Sequence, residues 1–180
     1  MKLKALQDFE LYSKVPEETI KKYSGKIPEQ FIEIWKNYGF GSFLRGYFKT
    51  INPDDYIEFV RKSYFEKNCI PLLVTALGDI IVWERNEFIY ILFYRYNDFD
   101  GISRGAKYFI NDLVDKEFIE DCIKPKCFQE ALQLLGAIAY DECYGYVPLL
   151  SLGGAEKPES LRKVKLREHL ELMYQVQGEI

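Results

Sequence analysis

The chain has 180 residues, enough for a single domain with a sizeable buried core. Its 48% hydrophobic and 29% charged residues exclude a disordered chain. The net charge of −4 argues against a dedicated nucleic-acid binder, because an acidic surface repels a phosphate backbone. It suits a basic protein partner instead.

The start of the chain and its cysteines favour a cytoplasmic protein with no membrane association. Gln7 and Asp8 interrupt the apolar stretch that a secretory signal would need. The longest apolar run, Phe88–Tyr94, is far too short to cross a bilayer. Four cysteines are too few for a disulfide scaffold in a chain of this length, so we expect reduced thiols.

Three helices are predicted in the first third of the chain. The first spans Pro16–Tyr23, because proline suits the first turn of a helix. The second is opened by Pro28 and stopped at Gly39. The third follows an Asn52 cap and runs through Tyr64, with carboxylates near its positive end.

A β-meander is predicted in the middle of the chain. Its strands are Leu72–Leu77, Ile80–Arg85 and Phe88–Tyr96. Two-residue turns at 78–79 and 86–87 are expected to join them. This register gives one mainly aliphatic face, which we expect to be core, and one aromatic face, which needs a cover.

The expected members of the aliphatic face are Leu73, Thr75, Val82, Ile89, Ile91 and Phe93. Those of the aromatic face are Val74, Trp83, Phe88, Tyr90, Leu92, Tyr94 and Tyr96.

The last part of the chain is predicted to be mainly helical. After a polar loop at Asn97–Gly101, apolar residues recur at helical spacing over Phe109–Ile119. Further helices are expected at Phe128–Tyr140 and Leu166–Tyr174, on either side of a long loop at Asp141–Pro158. The predicted fold class is therefore α+β, with a central antiparallel β-meander flanked by N-terminal and C-terminal helices.

No motif for catalysis, for a cofactor or for a metal is assembled in the sequence. Cys122 and Cys127 form one loose pair, which is half of a zinc site at best. His169 is the single histidine, and its apolar helical neighbours favour a packing role. We therefore predict a protein that is not an enzyme and has no cofactor. A small enzyme using His169 or distant carboxylates is the alternative.

Two stretches resemble a bacterial family. The segment Tyr-Gly-Tyr-Val-Pro-Leu at 144–149, then Leu-Gly-Gly at 152–154 and His-Leu at 169–170, is similar to the C-terminal region of type VI secretion immunity proteins, which neutralise a co-encoded DNase toxin. Residues 27–35, Gly39 and 51–56 resemble the GAD-like domain that precedes it. The general layout also resembles SMI1/KNR4-like immunity proteins. The implied division is a GAD-like region at 1–105 and an immunity-type region at 106–180, packed as one globular unit.

The resemblance implies an immunity-type protein that binds and neutralises a cognate toxin, with a basic nuclease domain as the expected partner. Acidic and aromatic side chains would meet its electropositive cleft. The candidate partner-binding residues are Glu84, Glu87, Asp98, Asp100, Asp141, Glu142, Tyr144 and Tyr146. At least one of the two tyrosines is expected to pack inward. The expected structural motif consists of Gly145, Pro148, Gly153, Gly154 and His169. A protein-interaction module without a toxin is a further alternative.

Overall fold

The computed structural model describes residues 3–180. Seven strands form one antiparallel sheet in chain order, and two more form a small second sheet. The strands of the large sheet are β1 (Glu10–Ser13), β2 (Phe40–Phe43), β3 (Phe48–Thr50), β4 (Cys69–Thr75), β5 (Ile80–Glu84), β6 (Phe88–Phe93) and β7 (Asp98–Arg104). The small sheet pairs β8 (Glu142–Tyr146) with β9 (Leu161–Lys165).

Within residues 3–180, three α-helices lie between the early strands of the large sheet and four follow its last strand in the chain. They are α1 (Glu17–Tyr23), α2 (Glu29–Asn37), α3 (Ile57–Ser63), α4 (Phe109–Asp112), α5 (Lys116–Phe118), α6 (Phe128–Leu135) and α7 (Leu166–Gln177), with a π-helical turn at Ile119–Ile123 after α5. Pro16 and Pro28 directly precede α1 and α2, as the sequence predicts. Asn52 accepts a hydrogen bond from the Asp54 amide (3.2 Å) and caps the short turn before α3.

The core lies on both faces of the large sheet. On one face Leu73 and Ile91 pack with residues of α2, α4 and α6, such as Trp35. On the other face Val74 and Leu92 pack with residues of α3 and α7. The aromatic face predicted from the sequence is therefore covered by the protein's own helices.

The predicted fold class, α+β with a central antiparallel meander and flanking helices, is confirmed. The predicted faces of β5 are wrong. Ile81 pairs with Leu73 and Ile91, which puts Val82 on the face of Val74 and turns Trp83 to the opposite one. Both hairpin loops hold three residues rather than two, and the first lies at 76–78 rather than at 78–79. The register therefore shifts by three residues between β4 and β5 and by one between β5 and β6. Tyr96 lies beyond the end of β6 and packs against Phe93.

Several predicted loops and helices differ in the structure. The predicted polar loop at 97–101 is mostly the start of β7, and the predicted long loop at 141–158 contains β8. Three short strands, β1 to β3, lie in the part expected to be helical. The helix expected over 109–119 is broken into α4 and α5, and the one expected over 128–140 ends at Leu135. Among residues 3–180, no helix has the length and apolar character to span a membrane.

Candidate partner-binding surface

The two tyrosines of the Tyr-Gly-Tyr motif point into the protein. Both Tyr144 and Tyr146 are buried, and the Tyr144 hydroxyl donates a hydrogen bond to the Gly136 carbonyl (2.7 Å). Burial raises the pKa of both phenols. The structure therefore contradicts their assignment to the partner-binding surface, since neither ring is accessible, and inward packing holds for both.

Gly145 lies against His169 of α7. A Cβ atom at 145 would be 2.5 Å from His169 Cε1 and 2.6 Å from Nε2, so this position requires a glycine. Burial lowers the pKa of His169 to about 4, which leaves the ring neutral near pH 7. Its neighbours Leu77 and Met173 line the same small cavity. This arrangement is that of a packing residue.

The chain folds back at the two glycines that follow the motif. Gly153 has φ +82°, and the Gly154 amide donates to the Leu149 carbonyl (2.9 Å). A Cβ at Gly154 would overlap the Pro148 carbonyl oxygen. Gly153 and Gly154, two members of the expected structural motif, therefore form a folded-back loop.

A buried lysine joins this motif to the large sheet. Lys49 of β3 is almost fully buried, and its ammonium donates to the carbonyls of Ala139 and Tyr140 (3.0 Å each) and of Glu142. Burial lowers the pKa of Lys49 to about 8. Three donors thus meet three acceptors, which offsets the cost of burying the charge. The Tyr144 amide adds a bond to the Ala76 carbonyl (2.7 Å).

A second buried charge lies in the loop between β6 and β7. Arg95 forms an ion pair with Asp79, and both side chains are buried. Its second guanidinium nitrogen donates to the Lys124 carbonyl (2.6 Å). Burial raises the pKa of the Asp79 carboxyl, and the adjacent guanidinium opposes that rise. Breaking such a pair from one side leaves an uncompensated buried charge.

Glu84 is not available to a partner. Only 2% of its surface is exposed, it accepts a hydrogen bond from the Tyr64 hydroxyl (3.0 Å), and Arg85 Nε lies 3.1 Å from its carboxylate. The structure therefore contradicts its assignment to the partner-binding surface. Glu87, at the tip of the same hairpin, is half-buried and pairs with Arg104 (2.6 Å).

The carboxylates of Asp141 and Glu142 also have cationic partners. Lys165 lies 2.8 Å from Asp141 and 3.5 Å from Glu142. Glu142 further accepts a hydrogen bond from the Ala139 amide (2.9 Å). Both carboxylates therefore have local structural roles.

Asp98 and Asp100 have a different environment. Both lie exposed on β7, the edge strand of the large sheet, and neither has a cationic partner within ion-pair distance among residues 3–180. Phe99 lies between them, and side chains alternate along a strand, so its ring points to the opposite face. There it packs against Phe65 (centroids 5.1 Å apart), and half of the surface of Phe65 is exposed. We call Phe65, Asp98, Phe99 and Asp100 the β7 surface.

Comparison with known proteins identifies the family. The GAD-like domain model matches residues 2–94, just over half of the chain. The chain belongs to the GAD-like family. A second model, described as T6SS immunity protein Tdi1, C-terminal, matches residues 103–177. Both regions of the resemblance seen in the sequence are thereby confirmed, and the two matches together support a type VI secretion immunity protein.

A solved structure shares the fold of this GAD-like chain. It is the crystal structure of Atu4351 from Agrobacterium tumefaciens, with 20% sequence identity and a TM-score of 0.77. The match covers 99% of this chain and 89% of that one. No curated protein matches the chain.

The contacts of Lys49 and Tyr144 run between the two matched regions. Lys49 lies in the GAD-like match and its carbonyl partners at 139–142 lie in the Tdi1-type match. The motif at 144–146 is thus tied to the sheet through its backbone. Sequence reasoning missed Lys49 and Arg95, because a lone charged residue carries no local signal that it is buried.

Proposed function

We propose that this GAD-like protein is a cytoplasmic immunity protein that binds a co-encoded toxin, a nuclease effector, and neutralises it without catalysing a reaction itself. The two family matches support this assignment. The burial of His169 against Gly145 supports a non-catalytic role for the single histidine. Among residues 3–180, no group of three or more potential metal ligands is clustered.

The observation that carries the proposal is the β7 surface. The exposed edge strand β7 carries two carboxylates without cationic partners among residues 3–180 on one face and the Phe65–Phe99 pair on the other. A nuclease must attract phosphates, so its cleft is electropositive. A toxin that docks edge-on against β7 would bring its electropositive cleft to Asp98 and Asp100 and would contact Phe65 and Phe99 on the opposite face of the strand. Edge backbone groups add hydrogen-bonding capacity.

The test is a charge reversal on β7 with a matched control at the other edge of the sheet. Asp98→Lys with Asp100→Lys should slow association with the toxin encoded beside this chain. The loss should shrink as salt is raised, because exposed charges act over about 8 Å at physiological ionic strength. The control, Glu10→Lys with Glu18→Lys, makes the same change in net charge on β1 and α1, where both residues are exposed.

Three outcomes are distinguishable by binding kinetics across a salt series. A slowing in the β7 variant alone supports the proposal. Equal slowing in both variants means that only net charge matters, and no slowing means that the toxin binds elsewhere. Absence of any complex with the unmodified protein contradicts the immunity function itself and favours a toxin-independent interaction module.

A further inference from the structure

The first half of β7 is an open and regular strand edge. Residues 98–101 pair in register with residues 90–93 of β6, and all four are exposed. The register shifts only after Gly101. At the other edge of the large sheet, β1 pairs regularly over Glu10 and Leu11 alone before its own shift. Of these two edges, β7 therefore offers an added strand the longer regular backbone.

The backbone of Phe99 faces away from β6. Its amide donates a hydrogen bond to the carboxylate of Asp98 (2.8 Å) rather than to a neighbouring strand. In an antiparallel sheet the backbone groups of successive residues point alternately to the two neighbours, so those of Gly101 also face outward. Two donors and two acceptors thus lie along this edge, with about 7 Å between the two residues. Such a row is what an added strand binds.

The side chains on one face of this edge select for basic residues. Asp98 and Asp100 lie two positions apart and have no ion-pair partner among residues 3–180. Burial raises the pKa of the Cys122 thiol, and the carboxylates of Asp100 and Asp121 raise it further, so both charges lie near that thiol. A strand added to β7 would place two of its alternate side chains opposite Asp98 and Asp100. Lysine or arginine at these two positions complements the carboxylates.

The other face of the same edge selects for an apolar residue. The ring of Phe99 packs against Tyr64 (centroids 5.5 Å apart), Phe65 (5.1 Å) and Tyr90 (6.3 Å). Phe65 and Phe99 nevertheless leave 50% and 36% of their surface exposed. Because side chains alternate along a strand, the residue between the two basic ones would lie opposite Phe99. An apolar side chain there would cover the exposed rings.

A second copy of this chain does not fit this edge. In an antiparallel pair of two β7 strands centred on Phe99, Asp98 of each copy would lie opposite Asp100 of the other. Like charges in directly opposite positions destabilise a strand pair. The two carboxylates therefore oppose self-association through β7 and favour a basic strand from another protein.

We propose that the toxin adds an extended segment to the edge of β7, with basic, apolar and basic residues opposite Asp98, Phe99 and Asp100. On binding, the Phe99 amide exchanges the Asp98 carboxylate for a backbone carbonyl of the added segment. The freed carboxylate then faces a basic side chain. The identity of the occupant rests on the proposed immunity function. The chemistry of the edge does not, because it follows from the backbone and side chains of β7.

The first experiment needs no toxin. A capped peptide of the order Thr-Lys-Val-Lys-Thr is titrated into the isotope-labelled full chain, and the backbone ¹H–¹⁵N signals of Phe99 and Gly101 are followed. The control peptide Thr-Lys-Lys-Val-Thr has the same composition and charge without the alternation. The first peptide should shift both signals with an apparent Kd about fivefold below that of the control. Equal affinities, or signals of Phe99 and Gly101 that do not shift, overturn the preference of the edge.

The second experiment tests the partner with two variants at one position. Gly101→Pro removes the outward N–H, and Gly101→Ala keeps it. Both add a Cβ atom 3.3 Å from Tyr90 Cε1, so this contact does not distinguish them. Gly101→Pro should bind the toxin about tenfold more weakly than Gly101→Ala, the equivalent of one lost hydrogen bond. The Tm of the two variants should be similar, because an outward amide makes no bond to β6.

The remaining outcomes separate this inference from the proposed function. Equal toxin binding by the two variants overturns strand addition and leaves the β7 surface a contact of side chains. A Tm of Gly101→Pro far below that of Gly101→Ala would place the amide in the ladder with β6 and overturn its outward orientation. If the unmodified protein forms no complex with the toxin, the immunity function fails, and with it the toxin as occupant. The peptide titration then decides whether the edge accepts a basic strand.

Discussion

The imidazole of His169 lies so close to Gly145 that a Cβ atom at 145 would be 2.5 Å from its Cε1. The single histidine of the chain and the central glycine of the Tyr-Gly-Tyr motif are thus one structural unit. Gly145 provides the flat backbone on which the ring packs, and the ring fills the space that a side chain at 145 would take. This contact fixes α7 on β8.

Gly145→Ala should therefore be strongly destabilising. Its Cβ would overlap His169 and would lie 2.8 Å from Val164 Cγ2. Overpacking of this kind costs about 1–3 kcal/mol. Urea unfolding of Gly145→Ala, His169→Ala, the double variant and the unmodified protein gives a double-mutant cycle. The double variant should be more stable than the sum of the single losses predicts, by about 1 kcal/mol or more. Additive losses would show that the two residues do not share one space.

The stability of the protein should depend on pH through His169. Burial lowers the pKa of His169 in the folded state to about 4, from its usual value near 6.5. The unfolded chain therefore binds a proton that the folded chain rejects, and stability is lost as the pH falls from about 6.5 to 4. The shift corresponds to about 3 kcal/mol.

The measurement is urea unfolding at several pH values for the unmodified protein and His169→Gln. The unfolding free energy of the unmodified protein should fall more steeply with decreasing pH than that of His169→Gln. The difference between the two slopes is the contribution of His169, because the carboxylates contribute equally to both. If the unfolding free energies of the two proteins change in parallel with pH, folding does not lower the pKa of His169. Toxin neutralisation by a folded His169→Gln should be intact, because the ring has a packing role; loss of function without loss of stability would indicate catalysis.

The meander can be read from its alternating residues, but its register cannot. The sequence predicts Leu77 as the last residue of a strand, yet Leu77 lies in the hairpin loop, where its side chain is buried. Arg85 and Asn86 adopt positive φ of 52° and 55°, which lengthens the next turn without a glycine to announce it. Each loop has one residue more than the sequence predicts, and the side chains of β5 therefore point to the faces opposite to those predicted.

The β7 surface was partly predictable. Asp98 and Asp100 are candidates because of their charge, but Asp and Gly are rare in strands, so the sequence predicts a loop for this segment. At an exposed edge such residues are tolerated and discourage strand–strand aggregation. The burial of Glu84 depends on Tyr64, twenty positions earlier in the chain. No local pattern reveals a contact of that range.

Charge reversal at neighbouring positions of one hairpin should have very different effects on stability. Glu84→Lys places a cation in a buried site that contains the Tyr64 hydroxyl and Arg85, and it should cost about 3–5 kcal/mol. Glu87→Lys breaks only an exposed pair with Arg104, worth about 1 kcal/mol or less. Urea unfolding of the two variants compares them directly. Similar losses would contradict the burial of Glu84.

Removing the buried cation at the end of the β6 hairpin should also cost about 3–5 kcal/mol. Arg95→Met leaves the Asp79 carboxylate buried without its partner and removes the bond to the Lys124 carbonyl. Adding Asp79→Asn should recover part of the loss, because a neutral amide is cheaper to bury than a charge. The matched control is Lys165→Met, which breaks the exposed pair with Asp141 and should cost about 1 kcal/mol or less. The unfolding free energies of these three variants and of the unmodified protein give the comparison. If Arg95→Met and Lys165→Met lose the same stability, or if Asp79→Asn adds to the loss instead of reducing it, the buried pair does not hold this end of the sheet.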